Sequence, residues 1–404
     1  MNTGDLLPVE EALERLLAGA GPLEAERIPI ARAGGRVLAG PITALRTQPP
    51  FDASAMDGYA VRAGDITALP AHLSVIGAAP AGKRYEGTVG SGQAVRIFTG
   101  APVPEGADAI LLQEDARIVS EGVIEALESV DRGKHIRRAG LDFAEGEPLL
   151  PAGRVLDAAA LSLAAAANHA ELAVVRRPLV AIIATGDELL PPGSRPGPDQ
   201  IIASNGYGVA AIARDAGADI LDLGIAPDDR GMIAAALHRA LDAGADILVT
   251  LGGASVGDHD LVREVLMREG MTLDFWKIAM RPGKPLMFGR IGATRALGLP
   301  GNPVSSLVGA HLFLKPLLAR LGGHPYRPDM RVGRLGKAMP ENDRRQDYVR
   351  ALAEETPEGW LVTPFDRQDS SMLKTLAAAN CLIVREPHAS AAGAGDPCTV
   401  LFIR

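Results

Sequence analysis

Between residues 177 and 322 the chain alternates continuous apolar runs with helical patterns, and few architectures can absorb that alternation. LVAIIAT, DILDLGIA and DILVTL are apolar at successive positions, so both faces of each strand must be covered. Between them lie segments with helical spacing. One starts at Ser204 as a possible N-cap, runs through Arg214 and stops at Gly217; a second ends near Leu241; a third spans residues 260–268. The segments LDFWKIAM, PLMFG and RALGLPG then precede a last helix over residues 304–321. Buried strands separated by helices predict an α/β sheet with helices on both faces.

The rest of the chain has another texture. A helix is expected over residues 8–17, with Leu13, Leu16 and Leu17 on one face. From 51 to 150 short β-like segments such as HLSVIGAA, QAVRIFTG and AILLQE are separated by turn signals such as PEGAD and DRGKH. The Ala-rich run over residues 157–171 reads as a helix with Asp157 as its N-cap. From about 327 short β-like segments return, RVGRLG, DYVRALAE, GWLVTPF, NCLIVR and CTVLFIR, and predict a small all-β terminal domain. A length of 404 residues fits such a multidomain chain, α/β plus β.

Composition narrows the function classes. A net charge of −8 argues against a general nucleic-acid binder. No run approaches the length of a membrane helix, and the acidic, amphipathic N-terminus is unlike a secretory signal. The two cysteines, Cys381 and Cys398, cannot make a disulfide framework or a zinc site by themselves, and a reducing, cytoplasmic setting is expected.

Ligands of open α/β sheets bind beyond the carboxyl ends of the strands, so the loops after the predicted strands are the candidates. Thr185-Gly186-Asp187-Glu188 follows the first strand and Pro227-Asp228-Asp229 the second. The stretch from Gly252 and Gly253 through Ser255, His259 and Asp260 follows the third, and Pro300-Gly301-Asn302-Pro303-Val304-Ser305 a later one. Glycines let backbone N–H groups approach an anion, and helix N-termini favour negative charge. The carboxylates of Asp187, Glu188, Asp228 and Asp260 would repel a phosphate unless a divalent cation stood between them. Oxygen ligands without a histidine pair point to Mg²⁺ rather than zinc. Lys277, Arg281 and Lys284 put three cations within eight residues, suited to oxyanions. Each motif alone is an ordinary turn, helix cap or solvated face; their gathering on one predicted sheet edge favours chemistry. No GxGxxG follows the first strand of the α/β region, which disfavours a nicotinamide dehydrogenase, and no GxxxxGK[ST] occurs, which excludes a P-loop enzyme.

Taken in order, PPFDASAMDGYA (49–60), FTGAPVPEGADAI (98–110), RRAGLDF, TGDEL, GGASVGDHD, WKIAMRPGKP, GLPGNPVS and Ser370-Ser371-Met372-Leu373 resemble the molybdopterin molybdenumtransferases, a family that includes the E domain of gephyrin. The resemblance implies an elongated N-terminal domain (1–50 and 140–176) with an inserted β-rich domain (51–139). It further implies an α/β molybdopterin-binding domain (177–326) and a C-terminal β-barrel (327–404). It implies a homodimer whose clefts join the α/β and terminal domains of one chain to the first domain of the other.

Carried over by motif, Asp57, Asp142, Glu188, Lys277 and Lys284 are expected to be catalytic. Asp228, or its neighbour Asp229, and Asp260 are expected to hold Mg²⁺. Thr99, Thr185, Gly186, Asp187, Gly252, Gly253, Ser255, Arg281, Pro300, Gly301, Asn302, Ser305, Arg350 and Ser371 are expected around the ligand. Arg281 departs from the lysine frequent in the family. The implied substrates are adenylylated molybdopterin and molybdate; a molybdopterin adenylyltransferase and molybdoenzyme chaperones are candidate partners. A scaffold protein of the gephyrin type and an adenylyltransferase are the alternatives.

Overall fold

The computed structural model describes residues 6–252 and 260–404. The chain divides into two compact units. One joins the N-terminal segment through Glu26 and Gly35–Val37 to Val174–Arg404; the other comprises Arg27–Gly34 and Leu38–Ala173.

Helix α1 (Val9–Leu17) is amphipathic, and its Ala12 and Leu16 are fully buried. They join the main core of the α/β unit, with Leu13 and Leu17 packed at its margin. The backbone just before α1 extends this docking: the Leu7 N–H donates to the Lys277 carbonyl, and the Leu7 carbonyl accepts from Ala279.

The other unit is built on a six-stranded sheet. Its strands are β1 (Gly58–Val61), β2 (Ala71–Ala79), β3 (Gln93–Ile97), β4 (Ala109–Leu112), β5 (Ala116–Ser120) and β6 (Val123–Ala126), in the order β4-β1-β3-β2-β6-β5. The curled sheet buries an apolar cluster on each face. Helix α2 (Ala158–Ala166) starts where the sequence places it, with Asp157 Oδ1 accepting from the Ala160 N–H at 2.9 Å. It stops at Ala166, however, rather than running on to 171, because Asn168 adopts a left-handed φ of 76° and Glu171–Val175 turn extended. Alanine content sets helix propensity, but an asparagine that tolerates the left-handed region can end the helix.

Six strands form the α/β sheet: β7 (Leu179–Thr185), β8 (Asp219–Ala226), β9 (Ile247–Leu251), β10 (Thr272–Lys277), β11 (Pro285–Ile291) and β12 (Thr294–Leu299). Their order is β8-β7-β9-β12-β11-β10. The β8, β7, β9 and β12 strands run parallel; β11 pairs antiparallel to β12, and β10 antiparallel to β11. Helices α3 (Asn205–Asp215), α4 (Arg230–Asp242), α5 (Leu261–Arg268) and α6 (Pro303–Leu321) follow β7, β8, β9 and β12 in the chain. Each face of the sheet has its own apolar cluster: α1, α3 and α6 on one side, α4 and α5 on the other. From β7 the chain moves outward to β8 and then returns past β7 to β9. The crevice where such a sheet reverses direction therefore opens between β7 and β9.

By length and composition α6 is apolar enough to cross a bilayer, but 72% of its most apolar 18-residue stretch is buried within the protein, so it serves here as a core helix. Its middle, Ala310–Leu314, is a π turn just ahead of Pro316, which has no N–H with which to continue the regular ladder.

Beyond α6, strands β13 (Met330–Leu335), β14 (Gln346–Thr356), β15 (Gly359–Pro364), β16 (Cys381–Arg385) and β17 (Pro397–Phe402) pair in the circuit β14-β15-β13-β17-β16 and back to β14. The ring is a closed five-stranded barrel, made possible because the 11-residue β14 is long enough to pair on both sides. Cys381 and Cys398 are buried in its wall as free thiols. Burial pushes the Cys381 thiol up to about 12 and raises that of Cys398, which disfavours the reactive thiolate.

Candidate functional site

A cavity of about 930 Å³ opens at the carboxyl edge of the parallel strands. Thr185, Gly186 and Glu188 reach it from the loop after β7, Asp228 from the loop after β8, and Gly252 from the end of β9. Pro300, Gly301 and Asn302 enter from the loop after β12, and Ser371 from the barrel region. These segments are far apart in sequence and meet because the parallel strands all end on this edge.

Gly252 shows why the cradle needs glycine. Its φ is +97°, and a Cβ there would stand 2.8 Å from the Thr185 carbonyl oxygen. The two loops flanking the crevice thus touch backbone to backbone, which brings main-chain groups close to any anion between them. The opposite wall is fixed by Asn205, whose Nδ2 donates to the Gly301 carbonyl at 2.7 Å. Sequence reading passed over Asn205 in favour of Ser204. Ser204 does occupy the N-cap position of α3, but its side chain makes no capping bond.

The acids at this edge are under electrostatic stress. Asp187 Oδ1 accepts from the Asp228 N–H at 3.0 Å, which draws the two loops together. Although solvent reaches Asp228 through the cavity, crowding around its carboxyl disfavours the ion, and the charges of Asp187 and Glu188 add to that; its pKa is raised. The next residue has a different duty. Asp229 is the N-cap of α4, its Oδ1 accepting from the Met232 N–H at 2.9 Å. Asp260 caps α5 through Oδ1, which accepts from the Arg263 N–H at 3.0 Å. Its Oδ2 is buried without a partner among the described residues, and burial raises its pKa. Asp260 lines a shallower neighbouring pocket with Arg230 and Arg263, while the adjacent Leu261 faces the main cavity. Thr185 Oγ1 is likewise buried and unpartnered among the described residues.

The described residues contain no group of three or more His, Cys, Asp or Glu arranged to hold a metal. Mg²⁺ does not need one, since it commonly takes one or two carboxylates and completes its shell with water and substrate phosphate. An orphaned carboxylate oxygen on Asp260 and a destabilised carboxylate on Asp228 fit that cation. Gly253, Ser255 and His259 lie outside the described residues.

The remaining sequence candidates fall into separate places. Lys277 Nζ lies 4.5 Å from the Trp276 ring centroid. Arg281 is already engaged by Asp347 and, at 3.5 Å, by Asp343. Lys284 lines a second pocket with Arg344 and His388. Arg350 is only 1% exposed; its Nη2 donates to the Asp369 carbonyl at 3.0 Å while Nε has no partner among the described residues, and burial lowers its pKa. Ser371 is held at the cavity by Asp369, whose Oδ1 accepts from both its N–H (2.8 Å) and its hydroxyl (2.6 Å). Asp369 stands one position ahead of the Ser370-Ser371 pair and carries no motif of its own, so sequence reading missed it. Ser305 is 4% exposed, in the first turn of α6, where the helical period turns it into the core and away from the cavity lining.

Asp57, Thr99 and Asp142 belong to the other compact unit. Asp57 Oδ1 accepts from the Thr99 N–H at 2.7 Å and from its hydroxyl at 2.8 Å. Those two bonds, with a smaller contribution from the Arg96 charge, lower the Asp57 pKa. Asp142 is exposed, and its N–H donates to the Gln48 carbonyl at 3.0 Å.

Comparison with known proteins covers nearly the whole chain. Residues 7–168 match the "MoeA N-terminal region (domain I and II)", 181–320 the "Probable molybdopterin binding domain" and 332–403 the "MoeA C-terminal region (domain IV)". The molybdopterin molybdenumtransferase of Haemophilus influenzae is 34% identical over 403 residues, 98% of each chain. That of Bacillus subtilis is 35% identical over 407 residues, 98% of this chain and 94% of the relative. Among solved structures, the molybdopterin biosynthesis moeA protein of Pyrococcus horikoshii superposes with a TM-score of 0.84 at 30% identity, covering 99% of this chain and 100% of the other.

Proposed function

Because this chain belongs to the molybdopterin molybdenumtransferase family, we propose that it inserts molybdate into adenylylated molybdopterin, releasing AMP and forming the molybdenum cofactor. The observation that carries this reading is the 930 Å³ cavity, where a glycine-lined crevice and the destabilised Asp228 carboxylate face the same space. A substrate with two linked phosphates needs both backbone N–H groups and a means of living beside carboxylates.

In this reading Gly186, Gly252 and Gly301, with Gly253 and Ser255, let main-chain N–H groups approach the phosphates. Thr185 offers its unpartnered hydroxyl, and Pro300 and Asn302 shape the rim beside α6. Asp228 and Asp260 hold Mg²⁺, which when bound neutralises phosphate charge. Asp187 fixes the Asp228 backbone, and Glu188 orients the ligand. Lys284 stabilises the charge that develops as AMP leaves. Lys277, Arg281, Arg350 and Ser371 serve the molybdate oxyanion, with Arg281 exchanging an aspartate partner for the substrate. A homodimer is proposed, in which Asp57, Thr99 and Asp142 act at a site completed by a second copy. The four-part division at residues 50, 139, 176 and 326 is likewise proposed, supported by separate sheets over 58–126 and 179–299 and a barrel over 330–402. Work in the cytoplasm, beside a molybdopterin adenylyltransferase and molybdoenzyme chaperones, fits two unpaired thiols.

A scaffold-only role and adenylyl transfer are not favoured, since the similarity to molybdenumtransferases runs through all three matched regions. The test is AMP release from adenylylated molybdopterin by purified protein and Mg²⁺, with and without molybdate. Molybdate-dependent release with active cofactor is expected. No release from authentic substrate would leave the scaffold reading, and adenylylation of free molybdopterin from ATP would indicate the transferase.

A further inference from the structure

Asp57 stands just ahead of β1, Thr99 just beyond β3 and Gln113 just beyond β4. Strands β1 and β3 pair antiparallel with Tyr59 opposite Arg96, which brings the Arg96 side chain beside all three positions. Its Nη1 donates to the Gly58 carbonyl at 2.9 Å, and its Nη2 donates to Gln113 Oε1. The guanidinium carbon lies 5.1 Å from the Tyr59 ring centroid and 5.0 Å from that of Phe98. Gln113 in turn donates its N–H to the Asp57 carbonyl at 3.2 Å. A closed circuit results. Through Gly58 and Gln113, Arg96 holds the backbone on which Asp57 stands. Through Phe98 it holds the neighbour of Thr99, whose two donors engage Asp57 Oδ1.

The chemistry of the circuit calls for a guanidinium. An apolar side chain at position 96 would cover Tyr59 and Phe98 but would bond to neither Gly58 nor Gln113. A lysine offers charge, yet an ammonium lacks the planar fork that lies against rings while reaching two acceptors on separate segments. Gly58 closes off the other side: a Cβ there would stand 2.0 Å from the Leu111 carbonyl oxygen, so the backbone beside Asp57 is pressed against β4. Asp57 itself is exposed, and an exposed aspartate otherwise samples several rotamers. Both Thr99 bonds go to Oδ1, which fixes where Oδ2 lies without occupying it.

We propose that Arg96 is a positioning residue for molybdate insertion, locking together the three segments that aim the Asp57 carboxylate at the substrate. The inference rests on the function proposed above, in which Asp57 acts at a site completed by a second copy. Arg96 itself touches no reacting atom. The Thr99 bonds favour the ionised form of Asp57, and the Arg96 charge adds to them.

The experiment is a double-substitution cycle on the full-length protein, read by molybdate-dependent AMP release. Arg96→Met keeps an unbranched stem against the two rings and removes both donors. It is expected to lower kcat about tenfold, with KM within about twofold of the parent, as misplacement of a reacting group would do. In an Asp57→Asn background the same change is expected to cost less than about twofold, because the carboxylate it positions is gone. Losses that multiply in full would assign Arg96 to the fold and overturn the proposal. Arg96→Lys, which keeps the charge, is expected to lose about threefold or more. Full activity in Arg96→Lys would overturn the circuit. Should Arg96→Met fail to melt cooperatively, Arg96→Lys carries the same cycle.

A second measurement does not need the reaction. Hydrogen exchange at the Thr99 amide is expected to accelerate about fivefold or more in Arg96→Met, with the amides of Ala94 and Val95 unchanged. Unchanged exchange at Thr99, or equal acceleration along β3, overturns positioning. No AMP release by the unsubstituted protein, with selective acceleration at Thr99, would remove the reaction and leave Arg96 as the support of Asp57. Normal release with unchanged exchange would remove the role of Arg96 alone.

Discussion

The carboxylates of the curled-sheet unit and those at the α/β edge are handled in opposite ways. Asp57 receives two hydrogen bonds from Thr99, and Asp52 receives the Ala139 N–H at 2.9 Å together with Arg138; both pKa values are lowered. Their negative charge is settled within the chain. Asp228 is raised by partial desolvation together with the charges of Asp187 and Glu188, Asp260 by burial, and Asp260 keeps an oxygen with no partner among the described residues. A charge satisfied locally acts as a fixed electrostatic feature. A charge left in deficit gives the site affinity for a cation, and the cost of holding that charge is met only when the cation arrives.

The sharpest way to break this contrast is Asp228→Ala. If Asp228 serves a ligand rather than the fold, AMP release should fall about 100-fold or more, a size typical of losing a charge-stabilising group. The apo protein should melt no lower than the parent, because a disfavoured carboxylate has been removed. A large loss of Tm would show instead that Asp228 supports the fold. Moving one residue along should invert the result. Asp229→Ala removes the cap of α4 and should cost about 1 kcal/mol of stability in chemical denaturation, with AMP release close to that of the parent. Equal losses of activity in the two variants would erase the distinction between neighbours.

The smallest effect probes the settled side. Thr99→Val removes the hydroxyl donor to Asp57 and leaves the backbone donor in place. Because the folded-state pKa of Asp57 is lowered, its contribution is complete above the ordinary carboxylate value of 3.8 and is lost as pH falls through the lower folded-state value. Thr99→Val should therefore melt slightly below the parent at neutral pH, and the two curves should merge in acid. A difference that persists when Asp57 is protonated would assign the effect to packing.

Much of the architecture was legible because it rests on periodicity. The apolar runs became β7, β8 and β9, and Asp157 does cap α2. The gathering of four loops on one edge followed from parallel strands. Features decided by three-dimensional competition were not legible. Nothing in the Ala-rich run announces that Asn168 will take a left-handed conformation and end the helix. Arg281 reads as an available cation, yet two aspartates from a distant segment hold it. Ser305 reads as part of a cradle, yet a helix starting at Pro303 carries it inward. Sequence could offer either Asp228 or Asp229 for the site; only the start of α4 separates a cap from a cavity wall.

Helix α6 starts at the rim of the cavity and runs through the most deeply buried part of the α/β unit. The Asn302 wall of the crevice is thus attached to a helix packed into the main core, while Glu188 stands on an exposed loop held by its carbonyl, which accepts from the Ile201 N–H at 2.8 Å. One jaw of the crevice is therefore expected to exchange its backbone amides with the core of the unit and the other with a surface loop, a contrast that hydrogen exchange of the two segments would read.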